Sequence, residues 1–167
     1  MSIAQRYQNY SIHREKDFEE PLLVRAEETS LLVEAMPRPL VLVNGAWDLL
    51  HTGHMRLLFA ARRKAATLVV GVDSDELVRR QKGHSRPVMS FTERCSALSY
   101  MPVDMLVEIT SRKDMDLLVR SLKPDLRVQS SEYRNQPSRY PQIPKLFVRN
   151  GRVHTSSIIS RIERNLL

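Results

Sequence analysis

Apolar and polar positions alternate along the chain in two distinct periods. Residues 1–20 are polar with no clear repeat and read as an arm. From Pro21 the stretch "PLLVRAEETSLLVEAM" has apolar residues at helical spacing, and the "PRP" at 37–39 stops it, so the spacing predicts one amphipathic helix. Residues 1–38 are therefore expected as an arm and helix preceding a domain that fills 39–167. In that domain short continuous apolar runs, of the kind buried on both faces of a sheet, alternate with helical patterns. "LVLVN" (40–44), "TLVVGV" (67–72), "DMLVEI" (104–109), "DLRVQ" (125–129) and "KLFVR" (145–149) read as five strands. Helices are predicted over 53–66, 74–81, 90–100, 111–123 and from Ser156 onward. Ser90 with Glu93 three residues later marks one helix start as a capping box.

Strand–helix alternation implies an α/β domain, a parallel sheet wrapped by helices. In such sheets ligands bind beyond the carboxyl ends of the strands. Candidate chemistry is therefore expected just after residues 44, 72, 109, 129 and 149.

Composition narrows the ligand. Twenty-six Lys and Arg against nineteen Asp and Glu give a formal charge of +7, which favours anionic partners, nucleic acid or small phosphorylated molecules. Cys95 is the only cysteine, so an intrachain disulfide is excluded and a reducing, cytoplasmic home is expected. No apolar run approaches the roughly 20 residues that span a bilayer, and residues 1–20 lack the apolar core of a signal peptide.

The exit of the first strand reads "NGAWDLLHTGHMRLL". Gly45 and Ala46 are small enough to let a ligand approach the backbone. Thr52 is a plausible N-cap, which places Gly53 and His54 in the first turn of a helix. That turn offers unpaired N–H groups and the positive end of the helix dipole, an anion site. His51 and His54 then flank it as hydrogen-bond donors to phosphate. A zinc site takes three or four protein ligands, and no cysteine cluster or third ligand lies nearby. The two histidines also fit an ordinary loop.

This stretch resembles the first motif of the cytidylyltransferase-like nucleotidyltransferases, G-x-F-D-x-x-H-x-G-H, with Trp47 at the aromatic position and His51 and His54 at the histidines. "KGHSRPVMSFTERCSAL" (82–98) is similar to the K-G-x-S-R-P-V…E-x-R stretch of the domain that makes ADP-heptose, and less similar to glycerol-3-phosphate cytidylyltransferases. The likeness runs from about residue 40 to 163. It implies a Rossmann-like three-layer sandwich, here with a five-stranded parallel sheet. It also implies nucleotidyl transfer from ATP or CTP to a phosphorylated sugar or polyol. ATP is favoured because residues 82–94 are the closer match to the heptose-type enzymes.

The resemblance assigns roles by position. His51, His54 and Lys82 are the expected catalytic residues, contacting phosphates and the transition state. Asn44, Gly45, Ala46, Trp47, Asp48 and Gly53 form the first part of the nucleotide site. Arg94 matches the E-x-R arginine, although it is also placed to pair with Glu93 or Asp104. "QSSEY" (129–133) stands where the family has K-G-G-D-Y or M-G-D-D-W. Glu132 and Tyr133 match, while Gln129, Ser130 and Ser131 depart and make the loop less basic. Arg149, Thr155 and Ser156 match the closing R-T-x-G-I-S-T-T-x-I segment, with His154 at a serine position. Hydroxyls at a helix N-terminus suit phosphate and suit a plain N-cap equally. The reaction implies Mg²⁺ carried with the triphosphate and no dedicated protein metal site. Family members often form dimers, so a homodimer is expected, with no nucleic-acid or membrane partner. Two other readings remain open: a nucleotide-binding regulator without turnover, which the altered 129–131 loop favours, and a basic nucleic-acid-binding module, which only the charge suggests.

Overall fold

The computed structural model describes residues 21–149, 151 and 153–166, so the expected arm at 1–20 lies outside the described residues. Six parallel strands form one sheet: β1 (Leu22–Arg25), β2 (Leu40–Gly45), β3 (Thr67–Asp73), β4 (Met105–Ile109), β5 (Leu126–Ser130) and β6 (Lys145–Val148). Their order is β1-β4-β3-β2-β5-β6. The helices are α1 (Thr52–Arg62), α2 (Asp75–Lys82), α3 (Phe91–Ser99), α4 (Arg112–Leu122) and α5 (Thr155–Leu166).

The five expected strands are all present, because each is an apolar run long enough to be buried on two faces. β3 is buried at every position. One sheet face packs Leu40, Leu42, Val69 and Val107 against Met115, Leu118 and Leu122 of α4. The other packs Val41, Val43, Leu68 and Val70 against Leu57, Leu58 and Ala61 of α1 and Cys95 and Leu98 of α3. Helices on both faces make three layers, the Rossmann-like α/β arrangement.

The segment expected as a helix at 21–36 is corrected. Leu22–Arg25 pairs with β4, Leu22 opposite Met105 and Arg25 opposite Glu108, as a sixth, edge strand. A 3-10 turn over Ala26–Leu31 follows, opened by Arg25 N–H donating to Glu28 Oε2 at 2.8 Å, and it packs on α4. Open backbone groups at the edge of β4 favour pairing over four residues whose helical spacing alone is too short to decide.

β2 continues to β3 on one side, whereas β5 joins its other side, so the strand order reverses beside β2. That reversal opens the crevice where such sheets bind ligands. Ser74, Ser90 and Ser111 cap α2, α3 and α4 by accepting the N–H groups of Leu77, Glu93 and Asp114. These caps fix the angle at which three helices leave the carboxyl edge.

Candidate functional site

The carboxyl edge of the sheet opens into a cleft of about 830 Å³. Its walls come from residues 44–48 at the exit of β2, Asp73 at the end of β3, Ile109, Ser111 and Arg112 at the end of β4, Gln129, Ser130, Glu132 and Tyr133 at the end of β5, and His154, Thr155 and Ser156 at the start of α5. The N-terminal turns of α1, α4 and α5 all reach it through His51 and His54, Arg112, and Thr155 and Ser156. Three helix N-termini directed at one cleft set up a field that favours negative charge.

The β2 exit is wound tightly. Trp47 and Leu49 both adopt left-handed backbone, with φ of 58° and 47°, a conformation that costs of order 1–3 kcal/mol for a non-glycine residue. Burial of the Trp47 ring and a 2.9 Å hydrogen bond from its Nε1 to the Gly71 carbonyl hold the turn in place. The chain then enters α1 with His51, rather than Thr52, as the N-cap: His51 Nδ1 accepts the Gly53 N–H at 3.1 Å. An imidazole competes for the cap here because its ring nitrogen reaches the second N–H, and the expected cap moves back by one residue.

That cap has a chemical consequence. With Nδ1 accepting, neutral His51 carries its proton on Nε2. Its ring stacks on His54 with centroids 3.9 Å apart. Burial, with the nearby His51 and Lys82, pushes His54 down to about 3. Burial and His154 also lower His51. Two neutral imidazoles therefore sit at the helix end as hydrogen-bond donors without a charge of their own. His54 Nδ1 is buried and has no partner among the described residues.

Asp48 is 1% exposed. Its carboxylate accepts Arg86 Nε at 2.8 Å, Val88 N at 3.1 Å and Met89 N at 3.0 Å. Burial alone would raise this acid, but the Met89, Val88 and Arg86 donors outweigh it and hold it below the usual carboxylate range. Thr155 Oγ1 donates to the Asp48 carbonyl at 2.9 Å, tying the start of α5 to the same turn. Lys82 and Arg86 bring cations to one side of the cleft, and burial, then Arg86, lowers the Lys82 ammonium. Asp73 faces them and is pushed up to about 6 by burial, against the pull of Lys82 and Arg94.

The cleft thus gathers Asn44, Gly45, Ala46, Trp47, Asp48, His51, His54 and Lys82 with Gln129, Glu132, Thr155 and Ser156. Gly53 lies beneath it as the second helical residue, its N–H taken by His51. Arg149 is exposed at the end of β6 and does not line it. Arg94 is a correction. Its side chain is 0% exposed, with Nη1 on the Ala46 carbonyl, Nε on the Met89 carbonyl at 3.2 Å and Nη2 on Asp75 Oδ1 at 2.6 Å. Every face of the guanidinium is occupied, so it braces the loops behind the cleft. Its ion partner is Asp75, not Glu93 or Asp104.

Sequence reasoning passed over Ser111, Arg112 and Arg127. Ser111 and Arg112 follow a strand end and were legible on that ground alone. Arg127 carries a subtler signal, a cation in the middle of the apolar run "DLRVQ". Glu132 Oε1 lies 3.2 Å from His154 Nδ1, closing the rim between the β5 and α5 sides. Among the described residues no group of three His, Cys, Asp or Glu side chains converges as a metal site, and no helix is long and apolar enough to cross a membrane.

The chain is 38% identical over 118 residues to the D-beta-D-heptose 1-phosphate adenylyltransferase of Bordetella bronchiseptica, covering 70% of this chain and 73% of that one. It is 39% identical over 97 residues to the bifunctional protein HldE of Desulfatibacillum aliphaticivorans, covering 58% of this chain and 20% of that one. The chain therefore spans about a fifth of that bifunctional relative. The fold is similar to that of pantoate-beta-alanine ligase from Francisella tularensis, with a TM-score of 0.56 at 9% identity over 88% of this chain and 78% of that one. Residues 42–158, more than half of the sequence, match the cytidylyltransferase-like family, and the chain belongs to that family.

Proposed function

We propose that this chain transfers the nucleoside monophosphate of ATP to the phosphate of a phosphorylated sugar, releasing pyrophosphate. The observation that carries the reading is the stacked, uncharged His51–His54 pair at the start of α1, facing the cleft beside Lys82. The adenylyltransferase relative supports ATP over CTP and a sugar 1-phosphate over a polyol phosphate.

In this reaction a phosphate oxygen of the acceptor attacks the α-phosphorus of the nucleotide. The bond from that phosphorus to the bridging oxygen breaks, and pyrophosphate leaves in line. No covalent intermediate with the protein is required, so catalysis is positioning and charge stabilisation. His51 and His54 donate to oxygens of the α-phosphate as its charge redistributes. Lys82 and Arg86 offset the charge that gathers on the leaving pyrophosphate. Asn44, Gly45, Ala46, Trp47, Gln129, Glu132 and Ser156 shape the nucleotide pocket, and Asp48 holds Arg86 and the α5 start in register.

A Mg²⁺ ion bound with the triphosphate would supply further charge neutralisation. Asp48 is fully engaged by the 86–89 loop, and among the described residues no three His, Cys, Asp or Glu side chains converge on a metal site, so such an ion would be held mainly by phosphate oxygens and water.

The test is pyrophosphate release from ATP and CTP with a panel of sugar and polyol phosphates. Turnover with ATP and a sugar 1-phosphate is expected, and His54→Ala should lower kcat by about 10²–10³-fold with circular dichroism unchanged. Absence of pyrophosphate release with every pair would return the chain to a binding or regulatory role.

A further inference from the structure

A second pocket, of about 370 Å³, lies beside the main cleft and shares Arg112, Met115, Gln129 and Tyr133 with it. Strand alternation puts Arg127 and Gln129 on the face of β5 that α4 covers, while Val128 points into the opposite core. Arg127 therefore stands in the sheet where an apolar side chain would ordinarily pack. It is 7% exposed. Its Nη2 donates to Asn44 Oδ1 at 3.0 Å, its guanidinium lies 5.0 Å from the Tyr140 ring centroid, and its Nε is buried with no hydrogen-bond partner among the described residues.

A buried cation needs a counter-charge, and among the described residues no carboxylate pairs with Arg127. The pocket lining contains no Asp or Glu. On α4, Asp116 is held by Arg139 Nε at 2.7 Å and the Tyr140 hydroxyl at 2.6 Å, which anchors the 131–144 loop as the pocket wall. Arg112 and Lys145 add two cations that form no ion pair among the described residues. Lysine, the family's residue at the β5 exit, is absent at Gln129, and the strand's positive charge sits two positions earlier on the same face.

Resting on the transferase reading above, we propose that this side pocket binds a second anionic group of the acceptor, a carboxylate or a phosphate remote from the phosphate that attacks. The nucleotide does not supply it. All of its anionic groups lie in one consecutive triphosphate, which belongs at the α1 start with His51, His54 and Lys82. Arg127 opens on the α4 side of the sheet, so an anion there arrives with the other substrate. Asn44 joins the two regions, one end in the main cleft and its amide oxygen on Arg127. The acceptor class is thus a sugar phosphate with an acidic tail, such as a uronic acid phosphate or a sugar bisphosphate.

The experiment compares a hexose 1-phosphate, a hexuronic acid 1-phosphate and a hexose bisphosphate on the full chain. Two readouts run in parallel: kcat/KM for pyrophosphate release with ATP, and calorimetric affinity of each acceptor without nucleotide. A preference of about tenfold or more for the acceptors that carry a second anionic group is expected, with the carboxylate and bisphosphate arms identifying which anion fits better. Arg127→Leu should collapse that ratio, and Lys145→Gln should reduce it, which covers the case of an unstable Arg127 variant. Equal or better use of the hexose 1-phosphate, which lacks the second anionic group, overturns the proposal, as does a preference that both variants leave intact. Inhibition by inorganic phosphate without any preference among acceptors marks a free-anion site and also overturns it. Failure of turnover with tight, Arg127-dependent binding of the acidic acceptor would count against the transferase reading and leave the pocket assignment standing.

Discussion

Asp48 and Arg86 form an ion pair at 2.8 Å, and through it the loop between α2 and α3 is fastened to the exit of β2. The pair joins residues 38 positions apart in sequence. Val88 and Met89 donate to the same carboxylate, so one side chain sets the position of the whole 86–89 segment. Because Thr155 closes on the Asp48 carbonyl, the same residue also fixes the start of α5.

Asp48→Ala should therefore act first on stability. It leaves Arg86 largely buried without its counter-charge and removes the acceptor of two backbone N–H groups. Loss of one partner of a buried pair costs about 3–5 kcal/mol. A lower urea midpoint at unchanged m-value checks this. Asp48→Asn keeps one acceptor oxygen and should lose less. A midpoint unmoved by Asp48→Ala would show that the loop is held by other contacts.

Arg94 makes the complementary case. Arg94→Met leaves the Ala46 and Met89 carbonyls without their donor, and should cost about 2–4 kcal/mol. Arg94→Lys restores one of the three contacts and should recover only part. The KM for nucleotide should change less than about threefold in whatever fraction remains folded, since a guanidinium enclosed on all sides gives phosphate nothing to bind. A well-folded Arg94→Met protein with a strongly raised KM would instead place this arginine on the nucleotide.

The contrast between these residues says what the sequence made legible. The strand runs were readable because burial on both faces demands continuous apolar residues, as in "LVLVN" and "TLVVGV". The carboxyl edge as the place of the cleft followed from strand–helix alternation, and motif spacing picked out His51, His54 and Lys82, which line it. Leu22–Arg25 was not readable as a strand, since its apolar spacing continues smoothly into Ala26–Leu31 and its pairing depends on β4, more than eighty residues away. The direction of Arg94 was equally hidden: a motif records that an arginine is present, while Ala46 and Asp75 decide where it points. Arg127 escaped notice for the same reason, because Asn44 and Tyr140 give it meaning only once β2 and β5 are neighbours.

His54 and Asp73 should pull stability in opposite directions over one pH window. The His54 imidazole is lowered from 6.5 to about 3, mainly by burial. Below 6.5 the unfolded chain takes up a proton that the folded chain refuses, so this residue makes stability fall as pH drops toward 3. Asp73 is raised from 3.8 to about 6, again mainly by burial. Above 3.8 the unfolded chain releases a proton that the folded chain keeps, so this residue makes stability fall as pH rises toward 6. Each slope is at most about 1.4 kcal/mol per pH unit, and between pH 3.8 and 6 they oppose. His54→Gln removes the first slope, and its stability should decline as pH rises through that window relative to the parent chain. Asp73→Asn removes the second, and its stability should climb over the same range. Urea midpoints at about pH 4, 5 and 6 for the three proteins read this directly, because the remaining acids are common to all of them and cancel in the differences. Parallel profiles would mean that both groups titrate in the folded protein as they do in the unfolded chain, and that the cleft does not shelter them from water.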